Sequence, residues 1–331
     1  MKATVGITMG DPAGIGPEIV VKALSNSEVY DVCKPVVVGD LRLLSRAVDQ
    51  FKLSERLRAI ESPLKALGKA GIVEVVDLHN VDFKRFRIGK ASKETGKASI
   101  EYIEAAVKYA LNGELDAIAT APINKESIHL AGSSHIGHTE LMGALTSIEE
   151  PITMFWIRGL TIFFLTRHLP LRMAIEAVDK DRIVALTVKV EGILRRMGFE
   201  KPRIAIAALN PHASDGGLIG NEEEREIIPA IKEVRGKGIK VIGPVAADAV
   251  FHRAFSGEYD AVISLYHDQG HIPAKTVDFH GVVSVTLGLP FVRTSVDHGT
   301  AFDIAGKGIA NSKSLEEAIK VAAELTLRFK K

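Results

Sequence analysis

Three features of the sequence predict an α/β fold. Short β-branched runs alternate with amphipathic, helix-length segments from end to end, the pattern of βα units around a mostly parallel sheet. The 331 residues are 46% hydrophobic and 25% charged, which suffices for two lobes rather than one core. No internal repeat or low-complexity linker interrupts the alternation.

In chain order, strands are expected at 4–8, 35–38, 72–76, 117–120, 161–166, 204–208, 261–265 and 282–287, where Val, Ile, Thr and Phe cluster. Helices are expected at 17–24, 97–112, 180–197 and 314–329, where apolar residues recur at helical spacing. Gly113 is placed to cap the second of these helices, and Ser314 with Glu317 has capping-box spacing at the start of the last. Residues 83–97 are charged and weakly periodic and read as an exposed excursion.

Composition excludes several classes of function. Lys and Arg number 42 against 41 Asp and Glu, so the net charge of +1 gives no field that would gather nucleic acid or an anionic membrane. Any anionic substrate must be held locally. The single cysteine, Cys33, rules out a disulfide framework and a Cys-rich zinc site and suits a reducing compartment. MKATVGITMG passes directly into strand-like alternation without the apolar core of a secretory signal, and no run is long enough to span a bilayer. A soluble, cytoplasmic protein is expected.

Three histidines follow strand-like runs directly: His168 after TIFFLTR, His212 after IAIAALNP and His267 after AVISLY. Open α/β sheets bind ligands beyond the carboxyl ends of their strands, so three imidazoles delivered there could converge on one ion. Imidazole suits Zn, Co, Ni or Fe better than Mg. Any one of these histidines alone would more often cap a loop; their equivalent positions argue against that. Asp268 and Asp248 could orient a ligand or hold a proton. As isolated residues they would more often be turn carboxylates.

Two glycine-rich stretches stand apart. In MGDPAGIGPE, Gly14 and Gly16 permit a close backbone approach and Pro17 suits a first helical turn, so the segment either lies along a cofactor or is a bare tight turn. DHGTAFDIAGKGIAN, with Asp297, His298, Gly299, Thr300, Ala301 and Asp303, is too small and polar for a core. Lys125, His138 with Thr139, Lys275 and Arg293 are candidates for an anion clamp, each in a loop after a strand or turn.

Seven motifs in order, TMGDPAGIGPEI, TAPINKE, GHTE, TRHLPLR, LNPHASDGGLIGNEE, YHDQGHIPAK and LGLPFVRTSVDHGTAFDIA, resemble the 4-hydroxythreonine-4-phosphate dehydrogenases over nearly the whole chain. GIGPE and HGTAFDIAGKGIAN are also similar to the wider isocitrate and isopropylmalate dehydrogenase superfamily, with Phe302 where that superfamily usually has proline. The resemblance implies an isocitrate-dehydrogenase-like fold of two α/β domains, 1–125 plus 280–331 on the cofactor side and 126–279 in the centre, flanking a cleft. It implies a homodimer whose active site is completed across the interface, with no nucleic-acid or membrane partner.

The same resemblance makes His168, His212 and His267 ligands of a divalent metal (Zn, Co or Mg) drawn from both subunits. It carries substrate contacts onto His138, Thr139, Lys275 and Arg293, with Ser284 standing where the family has asparagine, and NAD contacts onto Gly14, Gly16, Asp297–Asp303. Asp248, Asp268 and Lys275 are the expected catalytic side chains. The wording of the motifs is closest to the branch acting on 4-phospho-D-threonate and 4-phospho-D-erythronate, which implies oxidation at C3 followed by decarboxylation to dihydroxyacetone phosphate. The alternatives are a 4-phosphooxy-L-threonine dehydrogenase of pyridoxal phosphate synthesis, a cyclohexadiene diol carboxylate dehydrogenase, and a metal-dependent hydrolase or phosphotransferase.

Overall fold

The structure, a computed structural model, describes residues 2–330 and divides into two compact units. The first comprises residues 2–152 together with Val283–Lys330; the second is Thr153–Val282.

In the first unit the chain runs β1 (Ala3–Thr8), α1 (Gly16–Ser25), α2 (Ser27–Val32), β2 (Cys33–Gly39), α3 (Leu41–Gln50), β3 (Arg56–Ala59), β4 (Ile72–Asp77), α4 (Lys93–Leu111), β5 (Ala117–Thr120), α5 (Lys125–Leu130) and α6 (His138–Thr146). After the second unit it returns as β11 (Val283–Leu287), β12 (Val292–Ser295) and α12 (Lys313–Phe329). The strand order is β3-β4-β2-β1-β5-β12-β11, with β11 alone antiparallel to its partner β12. Central strands such as β1 and β5 are buried on both faces, which is why they read as unbroken apolar runs.

Helix starts follow from their caps. Ser92 accepts a hydrogen bond from the Thr95 amide, so α4 begins at Lys93, four residues earlier than the periodicity suggests. The last helix is opened by Ser312, whose hydroxyl donates to Glu316 at 2.7 Å; Ser314, expected as its cap, is buried inside it. The Asn124 side chain accepts the Ser127 amide at 2.8 Å and starts α5. Both α5 and α6 pack on α4, and residues 126–152 therefore cluster with the first unit instead of the central segment.

The second unit contains β6 (Ile152–Ile157), β7 (Leu160–Phe164), α7 (Leu171–Glu176), α8 (Lys180–Arg196), β8 (Ile204–Ala207), α9 (Ile228–Gly236), β9 (Val241–Val245), α10 (Ala247–Phe255), β10 (Ala261–Ser264) and α11 (His267–Val277). The hairpin β6–β7 turns through Arg158 and Gly159, both at positive φ, as a two-residue hairpin loop requires. Beyond it the order β7-β10-β8-β9 is parallel throughout. Its core sets Phe155 against Phe164 edge-on at 5.1 Å, with Ile162, Val262 and Ala205 beneath. Among the described residues no helix is long and apolar enough to cross a membrane.

Two glycines in helices make opposite predictions. A Cβ on Gly96 would stand 1.9 Å from the Ser127 carbonyl oxygen, because α4 and α5 touch backbone to backbone there, whereas one on Gly192 meets nothing within 4 Å. Gly96→Ala is expected to destabilise the protein by about 1–3 kcal/mol, and Gly192→Ala to stabilise it by roughly 0.5–1 kcal/mol; denaturant midpoints of the two variants check both signs.

Candidate active-site residues

The three strand-end histidines come from neighbouring parallel strands of the second unit, since β10 pairs with β7 on one side and β8 on the other. Parallel pairing sends all three carboxyl ends to one edge, and His168, His267 and His212 follow those ends by four, three and five residues. The rings of His168 and His267 lie 5.6 Å apart. The His267 Nδ1 is 2.6 Å from Asp268 Oδ1, and the His212 Nδ1 is 3.2 Å from Asp215 Oδ2. In each, the Nε2 is left as the nitrogen for a metal, the arrangement in which a carboxylate fixes a ligating imidazole.

His212 is not brought to the other two within one chain. Among the described residues, no group of three His, Cys, Asp or Glu side chains stands close enough to hold an ion. His212 opens a run of left-handed residues, His212, Ala213, Ser214 and Asp215, all with φ between 45 and 67°, followed by Gly216 and Gly217. Such a run of non-glycine residues is costly, and the His212 imidazole within it is exposed. Donor chemistry and strand placement thus fit a metal, but one chain supplies only two converging imidazoles.

Backbone-to-side-chain bonds lace the three strand ends together. The Thr166 hydroxyl donates to the Leu265 carbonyl at 2.8 Å, the Leu265 amide donates to Gln269 Oε1 at 2.8 Å, and Gln269 Nε2 donates to the Ala208 carbonyl at 2.7 Å. His271 stacks on His267 with ring centres 3.5 Å apart and bonds the His267 carbonyl through Nδ1. Lys275 lies two turns beyond His267 on the same face of α11. Asp248 is exposed in the first turn of α10 rather than in a turn between elements.

The first unit holds a different group. Arg293 is 4% exposed, and its guanidinium donates to the hydroxyls of Thr286 at 3.0 Å and Thr120 at 2.7 Å, while Nε has no partner. No carboxylate among the described residues forms an ion pair with it, and burial pushes its pKa down to about 10. The Glu140 carboxylate acts on it through its charge without forming an ion pair, so the cost of burying the cation is only partly offset in the free protein. Sheet register explains the assembly: Arg293 stands opposite Thr286, and Ser295 opposite Ser284 and Thr120, so this polar stripe lies on one face. His138, first residue of α6, is held well below the usual histidine range by burial and by the Arg293 charge. It bonds the Ala121 backbone, and its Nε2 is buried without a partner. Thr139 follows it in the helix's first turn.

The two glycine-rich stretches meet each other. The Ile15 amide donates to the Thr300 carbonyl at 3.0 Å, and a Cβ on Gly14 would lie 2.9 Å from that oxygen; one on Gly16 would lie 2.2 Å from the Met9 carbonyl. Backbone contact within the protein therefore accounts for both glycines. Beside Gly14 opens a cavity of about 230 Å³ walled by Phe51, Phe83, Phe86 and Ile88, with Arg46 stacked on Phe83 at 3.8 Å. Ala301 has a left-handed φ of 42°, and His298 Nδ1 lies 3.0 Å from the Gly299 carbonyl.

The sequence model of the family described as "Pyridoxal phosphate biosynthetic protein PdxA" matches residues 31–322. The chain belongs to the PdxA family. It is 47% identical, over all of its own length and 99% of the relative's, to a Clostridium botulinum protein provisionally named D-threonate 4-phosphate dehydrogenase. A Halalkalibacterium halodurans protein with the same provisional name is 48% identical over 99% of this chain and 98% of its own. The solved 4-hydroxythreonine-4-phosphate dehydrogenase of Klebsiella pneumoniae superimposes with a TM-score of 0.92 at 40% identity, covering 98% of each chain. The chain is accordingly an enzyme of the dehydrogenase type with the α/β fold of that family.

Sequence reasoning overlooked Thr120 and Thr286, Gln269, the aromatic cavity, and Asp11, a fully buried carboxyl in MGDPAG that accepts the Ala13 amide and whose pKa burial raises. Gln269 was readable inside YHDQGH; the threonines carry no signal before their register is known.

Arg293→Met is expected to leave the free protein at least as stable, since it removes an unpaired buried charge, and to abolish the rise in melting temperature that inorganic phosphate gives the parent. Thermal melts of both proteins with and without phosphate check this; a parent that phosphate does not stabilise would contradict the anion site.

Proposed function

We propose that this enzyme uses NAD to oxidise the C3 hydroxyl of 4-phospho-D-threonate or 4-phospho-D-erythronate, and that the resulting β-keto acid loses carbon dioxide to give dihydroxyacetone phosphate. The observation that carries the reading is Arg293, a buried guanidinium held directly by hydroxyls and ion-paired to no carboxylate among the described residues, which suits a dianionic substrate end. The names of the Clostridium and Halalkalibacterium relatives favour the D-threonate skeleton. The name of the Klebsiella structure favours a second reading, 4-phosphooxy-L-threonine, which differs at C2. A diol carboxylate without phosphate needs no phosphate clamp, and a hydrolase needs no nucleotide cavity beside Gly14.

His168, His212 and His267 would hold a divalent ion, which when bound lowers the pKa of a coordinated hydroxyl and stabilises the charge left by decarboxylation. Asp268 orients the His267 ring through Nδ1. His138 stays neutral beside Arg293 and offers Nε2 as a proton acceptor. Arg293 and the first-turn amides of α6 bind the anionic group, with Thr139 and Ser284 as hydroxyl partners. Lys275 is read as a further cation for the substrate, and Asp248 as a candidate for proton handling. The cavity beside Gly14, with its phenylalanine walls and the stacked Arg46, suits a planar heterocycle of NAD; Asp297–Asp303 border the same junction through Thr300.

The third imidazole is read as coming from a second copy of the chain. Leu169, Leu171, Met173 and Ile175 are exposed on and before α7, and Leu218 is 87% exposed beyond His212. Apolar surface of that extent suits a homodimer. The buried thiol of Cys33 suits a cytoplasmic setting.

With cobalt- or zinc-loaded protein, NADH should form fastest with the two hydroxy acids and more slowly with 4-phosphooxy-L-threonine, and His212→Ala should lose activity by at least about a hundredfold while keeping its circular dichroism. Preference for the amino acid would favour the second reading; an active His212→Ala would overturn the histidine assignment.

A further inference from the structure

The lacing of strand ends extends to a residue that the reaction itself does not require. Glu223 is fully buried, yet it accepts hydrogen bonds from the Leu209 amide at 2.8 Å, the Asn210 amide at 2.7 Å and Asn210 Nδ2 at 2.7 Å. It sits in a single π-helical turn, Glu223–Ile227, immediately before α9; such turns are uncommon and concentrate at functional sites. All of its partners lie in the two residues that lead into Pro211 and His212. Glu222 adds a second acceptor for Asn210 Nδ2 at 2.7 Å, and Gly220 leaves room for that amide, since a Cβ there would stand 2.6 Å from it.

Gln269 performs the corresponding task one strand over. It is 7% exposed and uses both ends of its carboxamide, one on Leu265, two residues before His267, and one on Ala208, four residues before His212. Burying a carboxyl and a carboxamide is unfavourable unless their hydrogen bonds are made, and here all of those bonds except the one from Asn210 Nδ2 go to backbone that leads into a histidine. Packing alone would be served as well by apolar side chains.

Resting on the reading of His168, His212 and His267 as metal ligands, we propose that Glu223 and Gln269 are positioning residues that set the His212 and His267 loops before metal arrives. The left-handed run from His212 to Asp215 needs such a restraint, because a free loop would relax out of it. Without the frame, metal must order the loop as it binds, and affinity falls by the ordering cost.

The test is Co2+ binding to the intact, metal-free protein, followed by its visible absorption and by calorimetry, in the parent, Glu223→Gln, Gln269→Met and His212→Ala. Glu223→Gln and Gln269→Met should fold, weaken Co2+ by about 10–100-fold as supporting residues of metal sites do, and in the metal-free state show new proteolytic cleavage confined to 209–220. His212→Ala should lose the tetrahedral cobalt spectrum. Parent-like affinity and cleavage in both frame variants, with loss in His212→Ala, would overturn the positioning role and leave the metal reading standing; a parent-like spectrum in His212→Ala would remove the metal reading itself. Should Glu223→Gln not fold, Asn210→Ala removes the loop's side-chain link while keeping the Glu223 carboxyl, and unchanged cobalt affinity there would overturn the proposal equally.

Discussion

Parallel pairing of β7, β10 and β8 is the constraint on which the histidine group depends. Strands joined by parallel hydrogen bonds end at one edge, so the loops that follow them, and the histidines three to five positions past each end, leave from the same side of the sheet although they are far apart in sequence. The backbone there has left the ladder and its amides and carbonyls need new partners. Thr166, Gln269 and Glu223 supply them, and in doing so convert an irregular edge into a fixed one. Polar side chains that would be a burden in a core are thereby the means by which loop residues acquire positions.

The first unit solves a related problem with one charge. β12 carries Arg293 into a buried position, and the antiparallel neighbour β11 and parallel neighbour β5 place threonine hydroxyls against its guanidinium. Hydroxyls take up one donor on each terminal nitrogen, leave Nε without a partner and do not neutralise the charge, so attraction for an anion is retained. Burial, with the same charge beside it, holds His138 well below the usual histidine range. Stability is given up at this one position, and a ligand can restore it.

Much of this was legible in sequence because βα periodicity reports burial directly. The strands expected at 4–8, 117–120 and 204–208 are mostly apolar and were readable; β3, with the sequence RLRA, β9, with VIGPV, and β12, with VRTS, were not. An edge strand can be polar, Gly and Pro obscure a strand's pattern, and β12 is polar because it bears the arginine. The histidines were legible from their position after strand-like runs. Glu223 was not, and of Gln269 only its place inside YHDQGH was, since their role appears only when residues 13 and 61 positions away are known to be adjacent. The glycines of MGDPAGIGPE illustrate the converse: their spacing suited a cofactor or a bare tight turn equally, and the nearest constraint on Gly14 and Gly16 is the protein's own Thr300 and Met9.

The central claim is that the three strand-end imidazoles act together, with one of them given by a second copy. Mixing His212→Ala with His267→Ala after subunit exchange tests it most directly: each protein alone lacks a complete set, but half of the mixed population pairs an intact His168–His267 with an intact His212. The account predicts that cobalt binding returns to about a quarter of the parent's sites in the mixture; a mixture that binds no more than its two components would contradict it.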